Sequence, residues 1–461
     1  MIKIDRRKLF NIHSWIGIKL SVLFFIVCFS GTLATLSHEM DWLFIPEMRA
    51  SPSGANSSAP SSKAELDRPG LARPGLASRN QMAANIQAAY PNGTIAYWQT
   101  LEEPYLCNIV HLMQDGHRRY VFVNPYTGEV QGMAHLTFQR FFRDLHYFLF
   151  IPFQIGHFTV LIFGFMLLVS LLTALFFYKK WYRKLFELKT GRGAIVFFRS
   201  LHRLVGVWSA PFTLLFSITG IWYFVERANV GGVSDTANPT TPELTAPHID
   251  SVDFPTLIRS LDYDRALAIA QQEIPGLTVK DIRPPANPKD ALYLTGTSDV
   301  PLVRNRANRV YLHPATYEVL DVQRATALPT VIWLNDIADP LHFGYWGGLA
   351  TKVIWFMLGL GISSLVLTGI WISQKRKLKG AAKRNAARAK AQRMGSWKYI
   401  NWAVYGVMLG FMYTILVTQY QASFTALLLI TVGWTIFVGA AWYIFEYRLQ
   451  RVVKKELLRH A

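Results

Sequence analysis

Four histidines stand where apolar runs begin, and they fall into two matched pairs. His13 opens "IHSWIGIKLSVLFFIVCFSG" (12–31) and His202 opens "LHRLVGVWSAPFTLLFSITG" (201–220), each one turn ahead of a glycine, Gly17 or Gly206. His146 lies in "DLHYFLF" (144–150) and His342 in "PLHFGYW" (340–346), each ahead of a further apolar run. Two imidazoles converging at one depth inside a helical bundle supply the opposed axial nitrogens of a b-type haem. A glycine one turn on, on the same helix face, leaves a flat macrocycle room beside the backbone. Two haems, His13 facing His202 and His146 facing His342, would carry electrons across a membrane.

The elements that must hold these residues are membrane helices. Of the 461 residues, 51% are hydrophobic. Six apolar runs are long enough to cross a bilayer, at about 14–37, 154–178, 203–225, 346–373, 400–418 and 423–445. The first is too long, and too poor in small residues at its end, for a removed signal peptide. The net charge of +19 gathers beside helix ends: Arg6, Arg7 and Lys8; Lys179, Lys180, Arg183 and Lys184; Lys375 to Arg393; Arg448, Arg451, Lys454 and Lys455. If the helices alternate, all these lie on one side, the positive-inside pattern. Both termini are then cytoplasmic, the loops 38–153 and 226–345 face the periplasm of a bacterium, and nucleic acid is set aside as a partner. Cys28 and Cys107 are too far apart in this topology to pair. No C-x-x-C-H is present, and no glycine fingerprint for a dinucleotide follows a strand.

The expected divisions are 1–40 (first span), 41–145 (first outer module, with a Ser/Pro/Gly-rich flexible linker at 50–80), 146–178 (second span) and 179–201 (basic loop). They continue with 202–225 (third span), 226–341 (second outer module), 342–373 (fourth span), 374–399 (basic loop), 400–446 (a two-helix hairpin) and 447–461 (tail). Each outer module reads as helix then strands: a helix at 81–90 with strands near 94–100, 105–113 and 118–124, and a helix at 263–273 with strands near 277–283 and 290–296. The modules close on "VFVNPYTGEV" and "VYLHPATYEV". One offset, 189, takes His13 to His202, Gly17 to Gly206, Gly31 to Gly220, Pro125 to Pro314 and Glu129 to Glu318. The chain is therefore a duplication. A repeat with an even number of crossings gives parallel copies related by an axis along the membrane normal, which preserves depth. The fold class is an α-helical integral membrane protein: a duplicated four-helix core, two extra helices, and two small α+β outer modules.

Other residues leave alternatives open. His38 lies 25 residues beyond His13, roughly 37 Å along a straight helix. His38 and His157 each read either as an outer ligand or as a hydrogen-bonding neighbour of one. Arg143 and Arg203, with Arg140, stand beside the proposed ligands and suit either haem propionates or ordinary interfacial anchoring. His111, His117, His135, His248 and His313 read as exposed loop residues. Trp42, Tyr147, Tyr345 and Trp346 suit a substrate site or an interfacial belt.

At these residues the chain resembles the PepSY-associated transmembrane family, described as iron-regulated or siderophore-reductase membrane proteins. The likeness rests on "IHSWIG…SGTLATLSHEMDW" (12–42), "NPYTGEV" (124–130), "RDLHYFLF…G" (143–156), "LHRLVGVW…TGIW" (201–222) and "DPLHFGYWGG" (339–348). It covers about 8–378 and leaves the last two helices outside. The resemblance implies two b-type haems held by His13, His146, His202 and His342, and reduction of a ferric siderophore at the periplasmic face of the inner membrane. The second turn, "HPATYEV", lacks the glycine of "NPYTGEV". With no flavin or nicotinamide domain in view, the electron donor is membrane quinol or a separate cytoplasmic reductase. Two other readings stand beside this one. In the first, a haem-free protein uses its outer modules to bind or regulate an envelope partner. The second is a transporter, against which the sequence offers no span broken at mid-membrane.

Overall fold

The computed structural model describes residues 5–51, 75–178, 180–244, 253–382, 397–448 and 451. Most of the linker expected at 50–80, His248, and most of the basic loop 374–399 and the tail 447–461 lie outside them. The α-helices of eight residues or more are, in chain order, α1 (Arg6–Lys19), α2 (Ser21–Ala34), α3 (Ser37–Phe44), α4 (Arg79–Ala89), α5 (Phe138–Phe148), α6 (Phe153–Phe177) and α7 (Ala194–Trp208). There follow α8 (Ala210–Arg227), α9 (Tyr263–Glu273), α10 (Thr330–Phe343), α11 (Gly348–Ala382), α12 (Trp397–Thr418) and α13 (Phe424–Trp442). The chain forms two compact units. A helical unit comprises 1–36, 141–224 and 353–461, and a sheet unit comprises 37–140 and 225–352.

Among the described residues of the helical unit four segments are long and apolar enough to cross a membrane, or six if each of two bent pairs counts as one span. The bent pairs correct the expectation of continuous helices at 14–37 and 203–225. α1 and α2 meet at 75° about Leu20, and α7 and α8 at 60° about Ser209. Positions 20 and 209 are themselves 189 apart, so the break belongs to the repeat. At the second break Pro211 enters the first turn of α8, where its ring excludes a straight continuation. The hydroxyls of Ser209 and Thr213 fold back onto the carbonyls of Val205 and Ser209 at 2.8 and 2.9 Å, which also bends helices. At the first break the amide of Asn401, on α12, donates to the carbonyl of Lys19 at 3.1 Å. The straight-helix distance to His38 therefore does not apply. α6 crosses α8 through glycines: a Cβ on Gly164 would come within 3.2 Å of the Gly220 backbone.

In the sheet unit the two modules are one structure. Strands β1 (Thr94–Gln99), β2 (Asn108–Gln114), β3 (His117–Val123), β4 (Val130–Ala134), β5 (Thr278–Arg283), β6 (Leu292–Thr297), β7 (Asn308–Leu312) and β8 (Val319–Gln323) form a single sheet in the order β4-β3-β2-β1-β5-β6-β7-β8. The two separate modules expected from sequence are thus halves joined where β1 pairs antiparallel with β5. Across this joint Trp98 pairs with Ile282, its own counterpart at an offset of 184, so a local two-fold passes between them. The same offset takes Arg79–Ala89 onto Tyr263–Glu273 and Thr94–Gln99 onto Thr278–Arg283. The copies therefore differ by five residues between the spans and this part.

One register row, Met133, Val121, Val110, Trp98, Ile282, Leu294, Val310 and Val322, crosses all eight strands. It forms the core against Met82 and Ile86 of α4 and Ala266 and Ala270 of α9. The helix starts cap each other reciprocally. Asp264 accepts from the Arg79 amide at 2.8 Å and from the Ser78 hydroxyl, while Asn80 Oδ1 accepts from the Tyr263 amide at 2.8 Å.

Candidate functional site

His13 and His202 meet inside the helical unit. Their ring centroids are 6.2 Å apart and the rings are nearly perpendicular. His13 sits on α1, whose N-terminus is capped by Asp5 accepting from the amides of Arg7 and Lys8. His202 occupies the corresponding place on α7. Each ring is held from behind through Nδ1: His13 at 3.0 Å from the Ser170 carbonyl on α6, His202 at 2.9 Å from Thr368 Oγ1 on α11. An Nδ1–H committed in this way leaves Nε2 as the nitrogen for a metal, the usual arrangement behind a ligating histidine.

The pair fits an iron porphyrin. A metal–imidazole bond of about 2 Å on each side, with each nitrogen about 1 Å from its ring centre, puts the centroids about 6 Å apart. A Cβ on Gly17 would meet nothing within 4 Å, and one on Gly206 would meet only Leu365 at 3.8 Å. The glycine face one turn on is open, as a macrocycle needs.

His146, on α5, is held in the same manner: Nδ1 lies 2.9 Å from the Val27 carbonyl on α2. Its ring lies so close to Gly31 that a Cβ there would fall 2.7 Å from Cε1, so only glycine fits. Gly31 is thus a site residue that the repeat singled out without showing its use. The carbonyls of Ser170 and Val27 and the hydroxyl of Thr368 were not legible at all. α5 begins on the fully buried Asp41 of α3, which accepts from the Phe138 and Gln139 amides at 2.5 and 3.3 Å. It is tied to the added hairpin by Tyr420, whose hydroxyl donates to the buried Asp144, two residues before His146.

His157, on α6, is buried against Tyr147 and Phe153, with Nδ1 3.0 Å from the Tyr147 carbonyl. It buttresses the residue next to His146. His342 ends α10 in the sheet unit, edge-on to Phe343 at 5.3 Å. His38, on α3, lies in the sheet unit beside an ion cluster. There the Lys352 ammonium bridges Glu39 at 3.0 Å and Glu103. Burial, aided by that ammonium, lowers His38 to about 4, so its ring is neutral. Among the described residues its Nδ1 has no hydrogen-bond partner, unlike the Nδ1 of His13, His146, His157 and His202. Burial pushes the Glu103 carboxyl up, but Lys352 outweighs it and holds the group below the usual value.

Both candidate arginines are engaged by protein groups. Arg203 donates to the Tyr178 hydroxyl at 3.0 Å and to the Glu187 carbonyl at 2.6 Å. Arg143 reaches Asp144 at 3.1 Å and lies over the Tyr147 ring at 5.0 Å. Of the histidines read as exposed loop residues, His111 and His117 are in strands, and His313 is fully buried. His313 Nδ1 accepts from the Ala315 and Thr316 amides at 3.2 Å each, the part Asn124 Oδ1 plays in the first copy at 2.9 and 3.4 Å.

Similarity to known proteins agrees with this architecture. The chain is 24% identical over 251 residues to the uncharacterized protein PA4219 of Pseudomonas aeruginosa, an alignment covering 51% of this chain and 62% of the relative. The chain thus matches less than two thirds of that relative's length. A sequence model of the PepSY-associated TM region matches residues 10–376, which runs from within α1 to within α11 and stops short of α12 and α13. On that match, over a mostly helical membrane protein with a sheet unit, the chain belongs to the PepSY-associated TM region family.

Proposed function

We propose that the protein is a di-haem b-type oxidoreductase of the bacterial inner membrane that reduces ferric siderophore, Fe(III) to Fe(II), at the periplasmic face. In this reading each bent pair is one span, giving six, and both termini are cytoplasmic. The observation that carries it is the His13–His202 pair, 6.2 Å between centroids with both Nδ1 atoms held from behind. Bound there, an iron porphyrin would supply reversible one-electron transfer. The chain's own residues do the rest. Ser170 and Thr368 fix the tautomer and aim of the inner imidazoles, Gly17 and Gly206 leave the face open, and Val27 and Gly31 seat His146 as an outer ligand. Reduction releases iron because oxygen-rich chelators hold hard Fe(III) better than softer Fe(II). The donor is quinol or a cytoplasmic reductase.

The test is the visible spectrum of the protein purified in detergent. A Soret band that shifts with dithionite, is diminished in His202→Ala and returns to the oxidised position on adding ferric siderophore is expected. A colourless protein would overturn the reading in favour of a haem-free binding or regulatory role. The matched breaks at Leu20 and Ser209 favour a second reading, a transporter, since interrupted helices in corresponding repeats line transport sites. Haem-free protein that moves a labelled solute into vesicles would establish it.

A further inference from the structure

One face of the eight-stranded sheet carries α4 and α9; the other carries a row of rings. From β3 to β7 the residues Tyr120, His111, Tyr97, Arg283, Tyr293 and Tyr311 touch in order. Tyr120 and His111 have centroids 5.0 Å apart, and His111 and Tyr97 4.9 Å. The Arg283 guanidinium lies 5.3 Å from the Tyr97 ring and 5.6 Å from the Tyr293 ring, and Tyr293 stacks on Tyr311 at 4.6 Å. The row crosses the joint between the halves at Tyr97 and Arg283. Its ends are covered: Tyr120 is buried with Met48 and Leu106, Tyr311 with Leu244 and Ala291. Its middle is open, with Arg283 exposed and Tyr97 and Tyr293 half-buried.

The open part carries guanidiniums beside carboxylates. Asp281 accepts from the Tyr97 hydroxyl at 2.5 Å, Thr295 at 3.1 Å and Asn305 at 2.9 Å, Asp321 stands opposite Tyr311, and Asp336 interacts with Arg309. Burial pushes the Tyr97 and Tyr293 hydroxyls up, so both rings stay neutral. Arg283 forms no ion pair among the described residues. Arg309, in the next register row of the same face, is 5% exposed, and its Nη2 has no hydrogen-bond partner among the described residues. A buried guanidinium with an idle donor and an exposed one between two phenol rings make a surface for an anion that itself carries flat rings.

We propose that Tyr97, Arg283 and Tyr293 form the docking platform for a strongly anionic, aryl-bearing chelate, the ferric tris-catecholate class. This rests on the ferric-siderophore reading and narrows its substrate. The aryl groups of such a chelate stack on the tyrosines while its charge meets Arg283 and Arg309. A ferric trihydroxamate, uncharged at its metal centre and lacking rings, gains neither contact.

The test uses the full chain in detergent and gallium(III) complexes, which bind like the ferric ones without being reduced. Gallium tris-catecholate, followed by intrinsic fluorescence, is expected to bind at least about tenfold more tightly than gallium trihydroxamate. Arg283→Glu should weaken it by about thirtyfold and Tyr293→Leu by about tenfold; Arg283 is exposed, so its replacement leaves folding intact. Equal binding of the two complexes, or an Arg283→Glu variant that binds as the parent does, overturns the platform. Tight, Arg283-dependent catecholate binding by a colourless protein keeps the platform and removes the reductase. A haem protein reoxidised only by ferric hydroxamate does the reverse.

Discussion

At Leu20 the first copy of the repeat turns by 75°, and at Ser209 the second turns by 60°, at equivalent positions. The second bend is built locally, from Pro211 and two hydroxyls that fold back on carbonyls. The first has no proline, and the carbonyl at its corner is satisfied by Asn401 from α12, 382 residues away. The same contrast recurs at the module turns, where Asn124 and Gly128 in one copy are replaced by His313 and Tyr317 in the other. What duplication has kept is the backbone path, which sets where His13 and His202 stand. The side chains that enforce that path are particular to each copy. One of them comes from a hairpin that lies beyond the residues matched to the family.

The comparison breaks most sharply at the histidines. If His13 and His202 are equivalent ends of one site, His13→Ala and His202→Ala should each remove the same haem. Each should lower haem content by about half and bleach the same spectral component. Unequal losses would mean that the copies have diverged there too. Next comes the two-fold joint of the sheet. Trp98 is fully buried and Ile282 nearly so. Trp98→Ala should cost about 3–5 kcal/mol and Ile282→Val about 0.5–1.5 kcal/mol, read as loss of thermal stability in the sheet unit. A small effect of Trp98→Ala would show the halves to be independently stable. The reciprocal caps follow: Asn80→Ala and Asp264→Ala should each cost about 1–2 kcal/mol, and by similar amounts if the local two-fold is energetically real.

Much of this was written in the sequence. The helix at 263–273 and the first strand of each half follow from alternation and flanking turn residues, and these local rules hold wherever the partner lies. The pairing of His13 with His202 follows from one offset and a depth argument. The joined sheet does not, because β1 and β5 are edge strands of their own halves and nothing in an edge names its partner. Nor does the break at Leu20, an ordinary residue whose bend depends on a distant amide. The acceptors behind the imidazoles were hidden for another reason. Two of them, at Ser170 and Val27, are main-chain carbonyls, which every residue has. His313 misled because a turn motif suggests exposure, whereas this turn is buried and its ring nitrogen does the work of Asn124.

The smallest expected effect sits at that turn and tests whether a drifted copy is a weakened one. Gly128 has φ +75°, and Tyr317, its counterpart, holds φ +65° with a full side chain. That conformation costs a non-glycine residue about 1–2 kcal/mol. Tyr317 offsets the cost by accepting from the Asp262 amide at 2.6 Å and lying under the Arg265 guanidinium at 4.6 Å. Asp262 is the residue that caps α9. Tyr317→Phe keeps the ring and removes only the acceptor, so it should cost about 0.5–1.5 kcal/mol and speed amide exchange at Asp262 and the first turn of α9. In the first copy the tie between turn and helix is a different one: the Gly128 carbonyl accepts from Asn85 Nδ2 of α4 at 2.8 Å, and a Cβ on Gly128 would come within 3.2 Å of Ala77, so Gly128→Ala should strain its own turn and speed exchange in α4 as well. If Tyr317→Phe leaves α9 undisturbed, the tyrosine is merely tolerated there, and the missing glycine marks decay in place of a substitute tie between turn and helix.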